Sequence, residues 1–520
     1  MIEVSKKQLF NIGKKTVFLT LLFFVFFIET RAQTFEISMN KILMEYSFSS
    51  PEAIKAKLNF DNANYSYENY NKGFLPSVSF NLSPSTLNRS FKVLQNPTDG
   101  SYTYVDDFSN YSSMGLSVSQ KIGITGGSIN FGSNVNMLNE FNDGKRSFNT
   151  RPYFIGYSQK LFGGSAADYR YTKNVEQKKN IKAAKDYCSS ITDIQREAIR
   201  LYMDLFLIKT ALDIAMKNSS ISDTLLRASS AKFESGRITE NEYLQLQIQA
   251  VNDRFTSENY KMEYEVSIRR LLNFLGIADV FDLYTIERPD FDLPVFLNFE
   301  TVMEYVEQNN PFSLGQQIKR IEADRQIHNA KYQNRFTSNI SFNLGTNQYA
   351  PVFRDAYKNM ATQQSLTVGL QIPVFQWGIN KNSYKIAQNN YEISVMEIER
   401  EYIRFYNDLR EQVNNYNHSV NLMTIARSSF ELAMKQYELS VNKFDLGKLS
   451  IYELGFSQKE VFSSMNRYYT AMKEAWDGYY SLRSKTLFDF VENKELTEVL
   501  LHHRFSCTFS SPNSTMKWQN

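Results

Sequence analysis

The chain contains an internal duplication, and this feature constrains its fold more than any other. A motif centred on Gly236 recurs around Gly447, 211 residues later, and each copy has a Glu six residues beyond the Gly. Four of the paired positions are identical and four more are conservative. The copies span residues 232–239 with Glu242, and residues 443–450 with Glu453. Two units of one fold are therefore expected in one chain.

Two further matches set the order of elements within each repeat. Residues 156–162 resemble residues 369–375, and residues 79–82 resemble residues 341–344. Both halves then follow one order: proline, helix, strand, strand, long helix, glycine turn, helix. The sequence predicts repeat 1 over residues 33–290 and repeat 2 over 291–490. Residues 491–520 match neither repeat and are predicted to form a disordered tail.

The strand matches are 213 and 262 residues apart, so repeat 1 holds about 49 additional residues between its first and last strands. Residues 114–122 and 128–138 read as strands, and Gly126-Gly127 between them reads as a turn. The sequence therefore predicts an additional hairpin in repeat 1, which either enlarges a β-barrel or forms a surface flap.

The helices are predicted to be long and coiled. Apolar residues alternate at spacings of three and four from Ile191 to Ala215, and again, with three polar exceptions, from Ile398 to Phe444. This is the seam of a coiled coil. The predicted helices cover about 165–233, 240–275, 379–444 and 451–490, the longest being on the order of 100 Å. Each glycine fits a left-handed helix end, and Thr239 and Ser450 fit capping boxes that start the returning helices.

The predicted strands alternate apolar and uncharged polar residues. Val78, Phe80 and Leu82 alternate with Ser and Asn, and residues 339–344 repeat the pattern. An apolar face opposite a wet, uncharged face suits a barrel wall with lipid outside and water inside. A half-buried sheet of a soluble protein has the same alternation, and that alternative stays open at this point.

The N-terminus predicts export. Four lysines precede an apolar run over residues 17–28, and Thr30-Arg31-Ala32 is a plausible cleavage site. The run is short for a spanning helix and suits a signal peptide over residues 1–32. A short N-terminal anchor helix is the alternative. The mature chain would begin at Gln33, and no Cys follows the site to accept a lipid.

Composition excludes several classes of function. The net charge of +3 matches the excess of basic residues in the signal segment, so the mature chain is near neutral and lacks the basic footprint of a nucleic-acid binder. A mean hydropathy of −0.41 excludes a bundle of transmembrane helices but not a β-barrel. No metal spacing, nucleophile constellation or phosphate loop is present. A metal role for His502, His503 and Cys507 is disfavoured against a disordered tail, so no enzyme, metal or cofactor is predicted.

Over roughly residues 36–490 the chain resembles the TolC-like outer-membrane efflux proteins. The duplicated order and its spacing carry the resemblance more than any single motif. The motifs are residues 232–239 and 443–450, Asn310-Pro311, Leu161-Phe162-Gly163-Gly164 and Val374-Phe375-Gln376-Trp377-Gly378.

The resemblance implies a mainly α fold with a transmembrane β-barrel. Three identical chains would share the barrel in the outer membrane and an α-barrel of coiled-coil helices in the periplasm. The implied function is a passive exit duct of a tripartite efflux or type I secretion system, opened at its helical tips by a periplasmic adaptor and an inner-membrane pump. The barrel of this family takes four strands per chain, so the additional hairpin is a departure.

The resemblance also implies roles for the tip residues. The predicted adaptor contacts are Ser235, Gly236, Arg237, Ile238, Leu446, Gly447, Lys448 and Leu449. Glu242 and Glu453 are candidate gate residues. The alternative is that each of them only caps the helix in which it lies. Some family members carry a second acid three residues after Glu453; here Phe456 stands there, so a hydrophobic constriction is an alternative to an acidic one.

Two alternative functions stay open at this stage. An exported coiled-coil adhesin or envelope spacer explains the heptads but not the duplicated strands. An outlet for secreted polypeptides keeps the fold and changes the cargo. The sequence does not identify the substrate, the pump or the adaptor.

Overall fold

The computed structural model describes residues 34–162, 165–277, 283–287, 293, 296–333, 336–372, 374–446, 448–449, 451–497 and 499–501. The predicted signal peptide, most of the predicted tail, Gly447 and Ser450 lie outside these residues.

Helices make up most of the described chain, which confirms the mainly α prediction. The helices of eleven residues or more are α1 (Pro51–Lys72), α2 (Ser165–Glu234), α3 (Glu240–Leu275), α4 (Phe299–Asn309), α5 (Pro311–Gln333), α6 (Ile379–Asp445) and α7 (Ile451–Thr486). Pro51 and Pro311 each occupy the first position of a helix, where a missing backbone N–H costs nothing. The 70 and 67 residues of α2 and α6 agree with the predicted seams.

The strands are β1 (Thr34–Ile37), β2 (Ser77–Gln95), β3 (Tyr102–Ile122), β4 (Gly127–Glu140), β5 (Lys145–Phe162), β6 (Leu283–Ile286), β7 (Thr337–Ala350), β8 (Ala361–Gln371), β9 (Phe488–Asp489) and β10 (Lys494–Glu495). Six of them form one antiparallel sheet in the order β2-β3-β4-β5-β7-β8. The sheet is open, with β2 and β8 at its edges, so one chain alone forms no closed barrel.

The additional hairpin of repeat 1 belongs to this sheet. β3 and β4 lie between β2 and β5, and β4 pairs with β5 from Ser128 to Glu140. The hairpin is thus a member of the sheet and not a surface flap.

The sheet has one apolar face and one polar face, as the alternation predicts. The apolar face carries Val78, Phe80, Leu82, Leu116, Phe131, Ile155, Phe342 and Leu366. The opposite face carries Ser77, Ser79, Asn81, Ser117, Asn130, Ser158, Asn343 and Ser365. The apolar side chains named here are exposed in the single chain. In these rows, the sheet therefore presents its exposed apolar side chains on one side.

A bulge in β5 changes which face its residues occupy. Gly132 pairs with Phe154 and Asn134 pairs with Arg151, so three steps along β5 match two along β4. The additional residue reverses the alternation between the two ends of β5. Ile155 lies on the apolar face, whereas Arg151, an even number of residues away, lies on the polar face.

The compact units of the structure cut across the two repeats. One unit contains residues 189–302 and 411–496, together with the chain up to residue 56. The other contains residues 57–188 and 303–410, and with them the six-stranded sheet. Each unit thus combines segments of both repeats: Phe206 packs against Met465 and Tyr469 in the first unit, and β5 pairs with β7 in the second.

The predicted disordered tail begins with an ordered segment. β10 pairs with β9, and Leu496 and Leu500 are buried. Asp489 accepts hydrogen bonds from the backbone N–H groups of Val491 and Glu492. Residues 491–497 and 499–501 are therefore part of the described structure, beyond the predicted boundary at 490.

Candidate functional site

The turn between α2 and α3, the first tip, ends α2 in a Schellman motif. The N–H of Arg237 donates to the carbonyl of Lys232 at 2.8 Å, and that of Gly236 to Phe233 at 2.9 Å. Gly236 has φ +68°, in the left-handed region where a Cβ is disfavoured. The apex of the turn therefore contains Ser235, Arg237 and Ile238.

A capping box starts α3 at the predicted residues. The hydroxyl of Thr239 accepts from the N–H of Glu242 at 3.3 Å, and the Glu242 carboxylate accepts from the N–H of Thr239 at 2.7 Å. These hydrogen bonds from Thr239 hold the pKa of Glu242 below its ordinary value. The capping role proposed for Glu242 is thus present in the structure.

We expect Thr239→Ala to loosen the first tip. The substitution removes the cap from α3 and costs that helix end about 0.5–2 kcal/mol. Amide hydrogen exchange over residues 237–243 should accelerate, whereas exchange in the middle of α3 should not. Because the pKa of Glu242 is lowered, its contribution is complete at neutral pH and is lost as the pH falls through that lowered pKa. Unchanged exchange at pH 7 would contradict the capping role.

The second tip, between α6 and α7, repeats part of this geometry. The N–H of Lys448 donates to the carbonyl of Lys443 at 2.8 Å, 211 residues after the equivalent bond of Arg237. Leu446 and Lys448 are exposed and Leu449 is half-buried. Gly447 and Ser450, which complete the predicted motif, lie outside the described residues.

Packed side chains hold each helical pair together behind its tip. Phe233 stacks on Tyr243 with ring centroids 4.9 Å apart, behind the first tip. The hydroxyls of Ser440 and Ser457 lie 3.0 Å apart behind the second. Each tip is therefore an exposed turn that joins two helices in side-chain contact with each other.

The gate candidates are separated in the structure. Phe456 is 67% exposed and lines an open cleft of about 880 Å³ between α2, α3 and α7. Its other lining residues include Asn218, Leu246, Gln249 and Gln458. Glu453 is exposed on the first turn of α7, and Glu242 is held by Thr239. Neither carboxylate lines the cleft.

The sequence analysis did not identify an exposed apolar stripe on α3. Leu244, Ile248, Val251, Phe255 and Met262 are all exposed, at spacings of four, three, four and seven. The heptad spacing was available in the sequence, but only the structure shows that the seam is bare. Exposed apolar stripes of this kind mark interaction surfaces.

Within the described ranges, no group of His, Cys, Asp and Glu is arranged to hold a metal ion. None of the helices described is both long and apolar enough to cross a membrane.

Residues 308–483 match the family model of the outer membrane efflux proteins. The predicted resemblance to this family is confirmed. Its members are outer membrane efflux channels and not enzymes, which agrees with the prediction from the sequence. No curated protein matches the chain.

Solved channel structures share the fold. The CmeC outer membrane channel of Campylobacter jejuni is 13% identical, with a TM-score of 0.63 over 89% of this chain and 88% of that one. VceC of Vibrio cholerae is 10% identical, with a TM-score of 0.59 over 86% and 95%. The open MtrE channel of Neisseria gonorrhoeae is 10% identical, with a TM-score of 0.55 over 86% and 88%. At these identities the likeness shows the fold alone.

Proposed function

We propose that three copies of this protein form an outer-membrane exit duct of a tripartite efflux or type I secretion system. The six-stranded sheet carries the proposal, because it has an exposed apolar face and an opposite polar face rich in Ser and Asn. A sheet of this kind suits a wall between lipid and water. A coiled-coil spacer would not require a sheet with one apolar face and one polar face.

The dimensions of the sheet suit a membrane wall. A tilted strand needs about 9–11 residues to cross the hydrocarbon core. The sheet strands contain 11 to 21 residues. The free edges at β2 and β8 would pair between neighbouring copies, since closure removes unpaired edges. Six strands per copy would give a larger barrel than the four per chain that the resemblance implies.

The apolar stripe on α3 supports the assembly of several copies. Its five large side chains are exposed in the single chain, which is unfavourable in water. Heptad seams are buried when another helix packs against them. A neighbouring copy would cover the stripe and continue the helical wall in the periplasm.

The tips would act as the docking and opening points. A periplasmic adaptor would contact residues 235–238 and 446–449, coupling the duct to an inner-membrane pump. Opening requires the helical pairs to move apart, which is a rearrangement between two packings. Glu453 and Phe456 are the proposed gate residues of the second tip, and Glu242 that of the first.

Single-channel conductance of the mature protein in planar bilayers tests the duct. We expect discrete channels, and an altered conductance in Glu453→Ala but not in Glu438→Ala, an exposed residue of α6 about two helical turns before the tip. Channels with an unchanged Glu453→Ala conductance would return Glu453 to a capping role. A protein that stays soluble and never inserts would overturn the duct and favour an envelope spacer.

Charge reversal at both tips tests adaptor docking. We expect Arg237→Glu with Lys448→Glu to weaken adaptor binding about tenfold, equivalent to about 1.4 kcal/mol. Efflux in cells that supply the adaptor and pump should fall, whereas conductance in bilayers should persist. Lys435→Glu, on the exposed face of α6, is the matched control. Full efflux by the double variant would contradict docking at these residues.

A further inference from the structure

The charged residues on the polar face of the sheet are unequally distributed. Lys121 lies opposite Ser128, Arg151 opposite Asn134, and Lys160 opposite Asn339. All three positions belong to the face that carries Ser117 and Asn130. None of the three cations forms an ion pair within the described part of the chain. They stand at three levels of the sheet, from its helix-proximal end to its middle.

The acidic residues of the same face are balanced by their own neighbours. Glu140 lies opposite Lys145, which also pairs with Asp143 at 2.9 Å. Asp107 pairs with Lys92 where β2 and β3 extend beyond β4. The sheet strands β7 and β8 carry no charged residue. Among the strand residues of the polar face, the cations therefore exceed the anions by three per copy, five (Lys92, Lys121, Lys145, Arg151, Lys160) against two (Asp107, Glu140).

Arg151 is the most constrained of the three cations. Its guanidinium lies over the Phe154 ring, 4.7 Å from the centroid. Its Nε is buried without a hydrogen-bond partner among the residues described. The β5 bulge turns this side chain onto the polar face, beside the small residues Gly115 and Asn134. A fixed guanidinium with unused donors attracts anionic groups.

We infer that the polar face selects for anions, with Arg151 as the central determinant. The inference rests on the proposed duct, in which this face lines the water-filled passage. Fixed charges of one sign raise the local concentration of the opposite ion. Their reach is about 10 Å at 0.1 M salt and about 3 Å at 1 M. The preference is accordingly for anionic solutes, and it weakens at high salt.

Reversal potentials in a KCl gradient test the inference. In low salt we expect chloride to permeate better than potassium. Arg151→Gln should reduce the chloride-to-potassium permeability ratio, and Arg151→Glu should reverse the preference so that potassium permeates better. Arg146→Gln is the matched control, because Arg146 lies in the same strand on the opposite face. Two results would overturn the inference but not the proposed duct. One is open channels of the unmodified protein that prefer potassium, and the other is a chloride-to-potassium permeability ratio that Arg151→Glu does not change.

A second measurement does not require an open tip. In a Cys188→Ser/Cys507→Ser background, Asn149→Cys places a thiol on the polar face two residues from Arg151, and Ile155→Cys places one on the apolar face. We expect anionic methanethiosulfonate to modify Asn149→Cys faster than the cationic reagent, and Arg151→Gln to narrow the difference. A faster cationic reagent would overturn the inference. Equal modification of Ile155→Cys and Asn149→Cys would overturn the membrane wall itself.

Discussion

Arg483→Met should destabilise the compact unit that contains residues 411–496 by about 3–5 kcal/mol, because it leaves a buried carboxylate without its cation. Arg483 and Asp489 form an ion pair at 3.1 Å, and their side chains are only 13% and 11% exposed. The hydroxyl of Tyr479 also donates to Asp489 at 2.7 Å. The expected result is a large drop in the denaturation midpoint of the purified protein.

The control is an ion pair of the same kind on the surface. Arg467 and Glu460 lie 2.9 Å apart with side chains 53% and 43% exposed. Arg467→Met should cost about 1 kcal/mol or less, since water already solvates both charges. Equal losses in the two variants would contradict the importance of burial. Adding Asp489→Asn to Arg483→Met should recover part of the loss, because no buried charge is then unpaired.

The loss in Arg483→Met should depend on pH. Burial raises the pKa of Asp489, but the Arg483 charge and the hydrogen bonds outweigh it and hold the pKa below its ordinary value. The stabilisation is complete above the ordinary pKa, about 4, and is lost as the pH falls through the lowered value. Without Arg483 the effect of burial dominates and the carboxyl titrates higher. The difference in the free energy of unfolding between wild type and Arg483→Met should therefore decrease as the pH is lowered.

Gly345→Val should prevent the sheet from forming correctly. A Cβ at Gly345 would lie 2.7 Å from the carbonyl oxygen of Tyr153 and 2.9 Å from Cβ of Phe154. The clash involves backbone, so β5 and β7 would have to separate, at a cost of about 1–3 kcal/mol or more. We expect a reduced fraction of membrane-inserted, protease-resistant protein.

Gly369→Val is the matched control in the neighbouring strand. Gly369 faces the same side of the sheet, and the nearest atom to its Cβ would be the carbonyl oxygen of Asn339 at 3.8 Å. A branched residue fits a strand without strain there. Insertion of Gly369→Val should match wild type. Equal insertion of both variants would contradict the close approach at Gly345.

Local chemistry explains why so much of the helical fold is readable from sequence. Residues 165–233 and 379–444 were predicted as helices, and the observed ends lie within one residue of those bounds. Heptad spacing, a left-handed glycine and a capping box act over a few residues each. The capping role of Glu242 was predictable for the same reason. Gate and docking roles depend on other chains and stay proposals.

The duplication, the long helical pairs, their tips and the alternation within the strands are all readable from the order of the residues. The place of the additional hairpin inside the sheet, the exposure of the α3 stripe and the joining of both repeats in each compact unit follow only from how the chain packs. Arg151 shows the physical reason. Strict alternation from Ile155 assigns it to the apolar face, but the bulge in β5 adds one residue and turns it to the polar face. Such a register shift arises from pairing between strands distant in sequence, which local patterns do not encode.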